Sequence, residues 1–196
     1  MNKYSLAYVL LMISLLLTAC GRPATGGAKE QAEVPDPLQT IEEAAEDIID
    51  VAPSGGWDKI NGNVTAVANA WKAYQPQATG DGATQAHQDA LASALAQLQT
   101  ASASKDAAST MQSANDLSAA VIDLFALYNS AVPADIGRLD VLERQIILDV
   151  AANNFTAAAE SLNQTKAVWE RVKPSVEAHD GQEVETQFQA SLTTQE

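Results

Sequence analysis

Apolar residues recur at steps of three and four along most of this chain, a spacing that fits helices with one buried face and does not fit strands. Trp57, Ile60, Val64, Val67/Ala68, Trp71 and Tyr74 make the first long stripe, and Pro76 is expected to terminate its helix. Asp81 is a candidate N-cap for a second helix carrying Leu91, Leu95 and Leu98. A third, starting near Ser104, carries Met111, Leu117, Val121, Leu124/Phe125 and Tyr128. Pro133 opens a fourth with Ile136, Leu139, Leu142, Ile146 and Val150, since a proline in the first turn forfeits no intrahelical bond. Asn153-Asn154 turns the chain into a fifth with Phe155, Ala159, Leu162, Val168/Trp169 and Val172, stopped by Pro174. A short sixth follows Asp180-Gly181 over 183–192. Alanine, leucine and glutamine dominate this stretch and β-branched runs are scarce, so nothing competes with helix. The expectation is an all-α fold: an up-and-down helical bundle of about five or six helices, in one domain over 57–196.

Two of these helices echo each other at a fixed spacing. Trp71 and Trp169 are 169 − 71 = 98 residues apart, and Pro76 with Pro174, Trp57 with Phe155 and Val64 with Leu162 share that offset. The Asp-Gly pairs at Asp81 and Asp180 keep nearly the same phase. Two related helix-turn-helix units around a central hairpin would give this pattern, with Trp71 and Trp169 in equivalent places near helix C-termini. Chance agreement among alanine-rich helices would give it too.

The N-terminal part is organised differently. One charge, Lys3, precedes the apolar run 6–17, too short for the roughly 20 residues a transmembrane helix needs, and small residues follow it. Residues 1–19 therefore read as a secretion signal. Leu17-Thr18-Ala19-Cys20 resembles the bacterial lipobox, which implies diacylglycerol on the Cys20 sulfur and cleavage before it. Cys20 is the sole cysteine, so an intrachain disulfide is excluded. Residues 20–38, rich in Gly, Pro, Ala and charge, form the lipidated tether. The acidic segment 39–56 follows, with Ile41, Ala44/Ala45 and Ile48 at helical spacing; a short docked helix and a loose strap are both open readings.

The chain holds 11 basic and 25 acidic residues, a net charge of −14. Nucleic acid, which demands a basic stripe, is excluded as a partner, and anionic lipid would repel the folded part. Chemistry-bearing motifs are equally sparse. Three residues before His87 stands Thr84 and three before His179 stands Val176, so the Glu-x-x-His pairs of a di-iron bundle are missing. His-Glu-x-x-His, Cys-x-x-Cys-His, a Gly-x-Ser-x-Gly elbow and phosphate- or dinucleotide-binding glycine loops are absent. The sequence thus names no catalytic, metal or cofactor residue. Trp57, Trp71 and Trp169 lie on the apolar stripes and read as core.

The tether, the Trp-x4-Pro helix ends and the stretch Val132-Pro133-Ala134-Asp135-Ile136-Gly137-Arg138-Leu139 together resemble uncharacterised bacterial envelope lipoproteins with all-helical domains. That resemblance implies a protein lipid-anchored to the cell membrane or outer membrane, facing away from the cytoplasm, without catalytic residues to carry over. The expected function is a non-catalytic binding or scaffolding module whose partners are the membrane, through Cys20, and an envelope protein. A solute- or metal-binding lipoprotein working beside a transporter is the first alternative, and an enzyme with an unrecognised site the second.

Overall fold

A computed structural model describes residues 33–195 except positions 131 and 180. It contains seven α-helices among the described residues: α1 (Asp36–Val51), α2 (Trp57–Ala78), α3 (Gln85–Ser104), α4 (Ala107–Phe125), α5 (Ala134–Ala151), α6 (Phe155–Ala178) and α7 (Gln182–Gln195). A single 3-10 turn, Ala52–Ser54, links α1 to α2. The all-α bundle read from the periodicity is the observed fold, with one more helix than expected.

That additional helix is α1. Leu38, Ile41, Ala45 and Ile48 are fully buried in the first core, so docking is the outcome of the two left open for the acidic segment. Its helix starts inside the stretch assigned to the tether, with Pro35 as N-cap and Pro37 in the first turn, where proline is tolerated. The packed unit therefore takes in residues well before Trp57.

Several boundaries move for physical reasons. Pro76 and Pro174 do not terminate their helices; α2 runs on two residues to Ala78 and α6 four residues to Ala178. The N-cap of α3 is Thr84 rather than Asp81. Thr84 Oγ1 accepts from His87 N at 3.2 Å while His87 Nδ1 accepts from Thr84 N at 3.3 Å, a reciprocal cap. Asp81 instead accepts the Tyr128 hydroxyl at 2.6 Å, and Tyr128 meets the buried Tyr74 hydroxyl at 3.0 Å, tying the end of α2 to the end of α4. Ser104 closes α3 instead of opening α4, whose N-cap is Asp106, accepting from Ser109 N at 2.6 Å.

Two hydrophobic cores result. The first is built from α1 to α4 and includes Ile60, Trp71, Tyr74, Leu91, Leu98, Leu117 and Leu124. The second gathers Leu139, Leu162, Val168, Trp169, Val172, Phe188 and Leu192 from α5, α6 and α7, with Trp169 stacked on Phe188 at 4.3 Å. Helix α4 packs against α1 and α3 on one side and α5 on the other, so it belongs to one core and borders the second.

The faint repeat extends well beyond the tryptophans. Helices α1 and α5 start at the same spacing as α2 and α6, and both α1 and α5 are N-capped by a proline, Pro35 and Pro133. Gly55 and Asn153 hold equivalent left-handed positions, φ 71° and 59°, in the turns that follow. Each buried residue of α2 (Ile60, Val64, Val67, Ala70, Trp71, Tyr74, Ala78) has a buried counterpart in α6 (Ala158, Leu162, Thr165, Val168, Trp169, Val172, Val176). The bond from Ala83 N to Ala78 O, 2.9 Å, is matched by Gly181 N to Val176 O, also 2.9 Å. The related units are therefore three-helix units, α1–α3 and α5–α7, rather than helix-turn-helix pairs, and between them lies the single helix α4 rather than a hairpin.

Candidate functional site

Chemistry-bearing side chains concentrate where the two cores meet. Helix α4 turns polar residues toward α5 because its apolar stripe is already used on α1 and α3. Gly137 lets α5 come close at one point: a Cβ there would lie 2.5 Å from Ile122 Cδ1. Helices α4 and α5 run antiparallel, as the pairs Asp123 with Arg138 and Gln112 with Gln145 require.

At the centre, largely buried Arg144 on α5 draws in three carboxylates from two helices. Its guanidinium lies 3.4 Å from Glu42 and 3.4 Å from Glu46, both on α1, and 3.1 Å from Asp140 one turn back on α5. It also donates to Ser118 Oγ at 3.1 Å, and Ser118 donates in turn to Glu42. Among the described residues, Glu42 Oε2 and Arg144 Nε are buried without a hydrogen-bond partner. One cation thus faces three acids, and the protonation equilibria reflect it. Burial raises Glu42 above the usual carboxylate range despite help from Ser118 and Arg144. Burial and the neighbouring charge of Glu42 push Glu46 up to about 7, and burial with Asp140 pushes Glu143 up to about 7.

Further along the same seam an amide ladder runs across the helices. Gln112 and Gln145 exchange hydrogen bonds of 2.8 and 3.1 Å, Asn115 donates to Val141 O and Gln145, and Gln145 donates to buried Asp149, which also accepts from Ser161 on α6. At the other end Arg171 grips Asp135 with two bonds of 2.9 Å, and Arg138 bridges Asp135 and Asp123. Arg171 first, then Arg138, hold Asp135 below the ordinary carboxylate range.

These shifts have a signed consequence for stability. A carboxylate near 7 in the fold and near 4.5 unfolded keeps its proton longer when folded, so its contribution is complete below 4.5 and is lost as pH rises through 7. Unfolding free energy should therefore fall by on the order of 2 kcal/mol between pH 5 and pH 7.5. The full linkage value is not expected, because the Glu46 side chain is 48% exposed and screened by solvent. Denaturant titrations at the two pH values check this, and equal midpoints would refute it.

One surface depression opens at the Arg138 and Arg171 end of the seam and another lies away from it. A groove of about 320 Å³ between α4, α5 and α6 has Val141, Leu142 and Val168 on its floor and Asp123, Arg138, Gln164 and Arg171 on its rim. Its two guanidiniums are already committed to Asp123 and Asp135, so an anionic solute would have to displace them. A shallower one of about 480 Å³ is lined by Ser93, Gln97, Thr100, Ser104 and Ser109.

The histidines are separate from all of this. His87 closes the α3 cap and His179 Nδ1 meets Ser175 O at 2.8 Å on the surface. Among the described residues no three His, Cys, Asp or Glu side chains are grouped to hold a metal ion. Trp71 and Trp169 are core residues, as expected, and Trp57 is partly buried against the first core. Cys20, the one residue to which the sequence assigns a role, lies outside the described residues together with the signal segment and most of the tether. No described helix is long and apolar enough to cross a membrane. The Arg144 seam had only a weak sequence signal: Glu42 and Glu46, and Asp140 and Arg144, are each an ordinary charged pair one helical turn apart.

Large apolar side chains also reach the surface at one end of the bundle. Ile147, Val150 and Phe155 are 45%, 47% and 64% exposed, although periodicity placed Val150 and Phe155 on buried stripes. No family model matches this chain, and no curated protein or solved structure matches it either.

Proposed function

We propose that this protein is an extracytoplasmic lipoprotein, anchored to the cell membrane or outer membrane by lipid on Cys20, whose helical bundle is a non-catalytic binding or scaffolding module. The observation that carries the binding half of this reading is the exposed apolar group Ile147, Val150 and Phe155 on an acidic chain. Three of the four large apolar side chains exposed among the described residues stand at the end of α5 and the start of α6, with Val132 at the other end of α5, and that bias to one end favours a partner surface over a purely structural protein. The buried acids and bases support the same reading, since Arg144 is engaged with Glu42 of α1 and Asp140 of its own helix, and Asp149 with Gln145 and with Ser161 of α6.

Anchoring is tested by Cys20→Ser. The wild-type chain should sediment with membranes and gain the mass of a diacylglyceryl group on its cysteine, whereas the variant should move to the soluble fraction. Retention of the variant in the membrane fraction, or a wild-type cysteine without added mass, would overturn the anchoring half.

A further inference from the structure

The pseudo-repeat shows what normally covers the exposed apolar group. In the first unit α4 packs on α1 and on the 3-10 turn after it; there Ala52 is fully buried and Ile49 packs against the core. At the repeat spacing, Ile49 corresponds to Ile147 and Ala52 to Val150, which are exposed. Trp57, partly buried, corresponds to the still more exposed Phe155. Helix α3 packs on α2 and α4, but its counterpart α7 packs chiefly on α6. The second unit therefore has three helices of an arrangement that the first completes with a fourth.

We propose that the face carrying Glu143, Ile147 and Val150 on α5, with Phe155 at the start of α6, docks a partner protein's amphipathic helix, aliphatic along its contact stripe and basic at its edge. This rests on the binding-module reading and supplies its partner chemistry. Positions 143, 147 and 150 follow one another at helical spacing along one stripe, so a helix laid against Ile147 and Val150 also meets Glu143. Glu143 makes no ion pair among the described residues, and Asp140 adjoins it one turn away. Asp140 is already paired with Arg144, so a cation at the edge of the incoming helix would neutralise Glu143.

Two other occupants fit less well. A second copy would bring a chain of charge −14 against its like. A lipid surface is disfavoured by position. Helix α1 turns back into α2 over a short connection, the Tyr74–Tyr128 contact joins the end of α2 to the end of α4, and α5 is antiparallel to α4, so α1 and α5 run the same way. The exposed group sits at the turn end, whereas the anchored segment joins at Pro35, one 16-residue helix or about 24 Å away.

The probe is a peptide of α4's own sequence, Ala107–Phe125, carrying Asp116→Lys and Asp123→Lys on its exposed positions, with the unaltered acidic peptide as comparison. Binding to the full chain in detergent is read by fluorescence anisotropy. The lysine peptide should bind, and Ile147→Glu/Val150→Glu should weaken it by about tenfold. Glu143→Gln should weaken it less and narrow its advantage over the acidic peptide. Both altered sites are at least partly exposed, so unchanged thermal unfolding of the variants will show that the fold is intact. The inference is overturned by absence of binding, by equal binding of both peptides, by indifference to Ile147→Glu/Val150→Glu, or by a dimer in sedimentation that this variant dissolves. Vesicle binding lost with the same variant overturns it in favour of lipid. None of these results touches the anchoring reading, which stands or falls on Cys20→Ser.

Discussion

Arg144→Met should destabilise the fold by about 3 kcal/mol at pH 7.5, because it leaves Glu42 buried opposite Asp140 with no cation between them. For a domain of this size that is a fall in melting temperature of roughly 6–12 °C. The penalty has a direction in pH. Glu42 and Glu46 are already raised above their unfolded values, and losing the guanidinium raises them further. The variant can relieve itself by taking up protons, so its deficit should shrink toward pH 5 and widen above pH 7. Adding Glu42→Leu removes the stranded charge and should recover most of the loss. Denaturant melts of the single and double variants at both pH values measure all of this. A single variant within 0.5 kcal/mol of the parent, or a double variant no better than the single, would show that the seam does not hold α1 through charge.

The second large effect concerns Trp169. Trp169→Ala removes the largest side chain of the smaller core and its stack on Phe188, at about 3–5 kcal/mol. Helix α7 has little besides α6 to pack against, so it should lose amide protection first, while α1 to α4 keep theirs. Trp71→Ala should cost a similar amount but open the first core instead. Hydrogen exchange resolved by segment separates the two outcomes. If α7 stays protected in Trp169→Ala, or the two variants unfold the same helices, the description of two cores joined by a polar seam is wrong.

Much of this fold is legible in the sequence. The stripes of α2 and α6 were readable because large apolar residues repeat there over five or more turns, and each buried position of one helix has its counterpart in the other. Boundaries were less legible where two residues could do the same job: Asp81 and Thr84 are both cap formers three positions apart, and only the geometry of the preceding turn selects Thr84. Helix α1 was undecided because its stripe of Leu38, Ile41, Ala45 and Ile48 is short and set among acids; whether such a helix docks depends on a receiving surface that lies on α2 and α4. Phe155 and Val150 were misplaced for the converse reason. Periodicity reports which residues share a face, and that face is buried only if something lies opposite. The expectation for Cys20 rests on four adjacent residues and lies outside the described ones, whereas the Arg144 seam joins side chains 76 and 102 residues apart that no local pattern connects.

That separation bears on the order in which the chain can assemble. Helices α2 and α3, and likewise α6 and α7, find each other across short turns, but the Glu42 to Arg144 contact closes a loop of 102 residues, against 26 for Ser118 to Arg144. Loop entropy grows slowly with length, so the longer closure costs only about 1 kcal/mol more. Its timing is the stronger constraint. A chain emerging from its N-terminus can pair α1 with α2 across the short turn, but the side of α1 that meets α4 stays open until α4 has been made and folded back over it. The first of the described helices thus pairs early with α2 but is locked only once α4 and then Arg144 arrive, and its many acids keep the open side of its apolar stripe soluble through the interval.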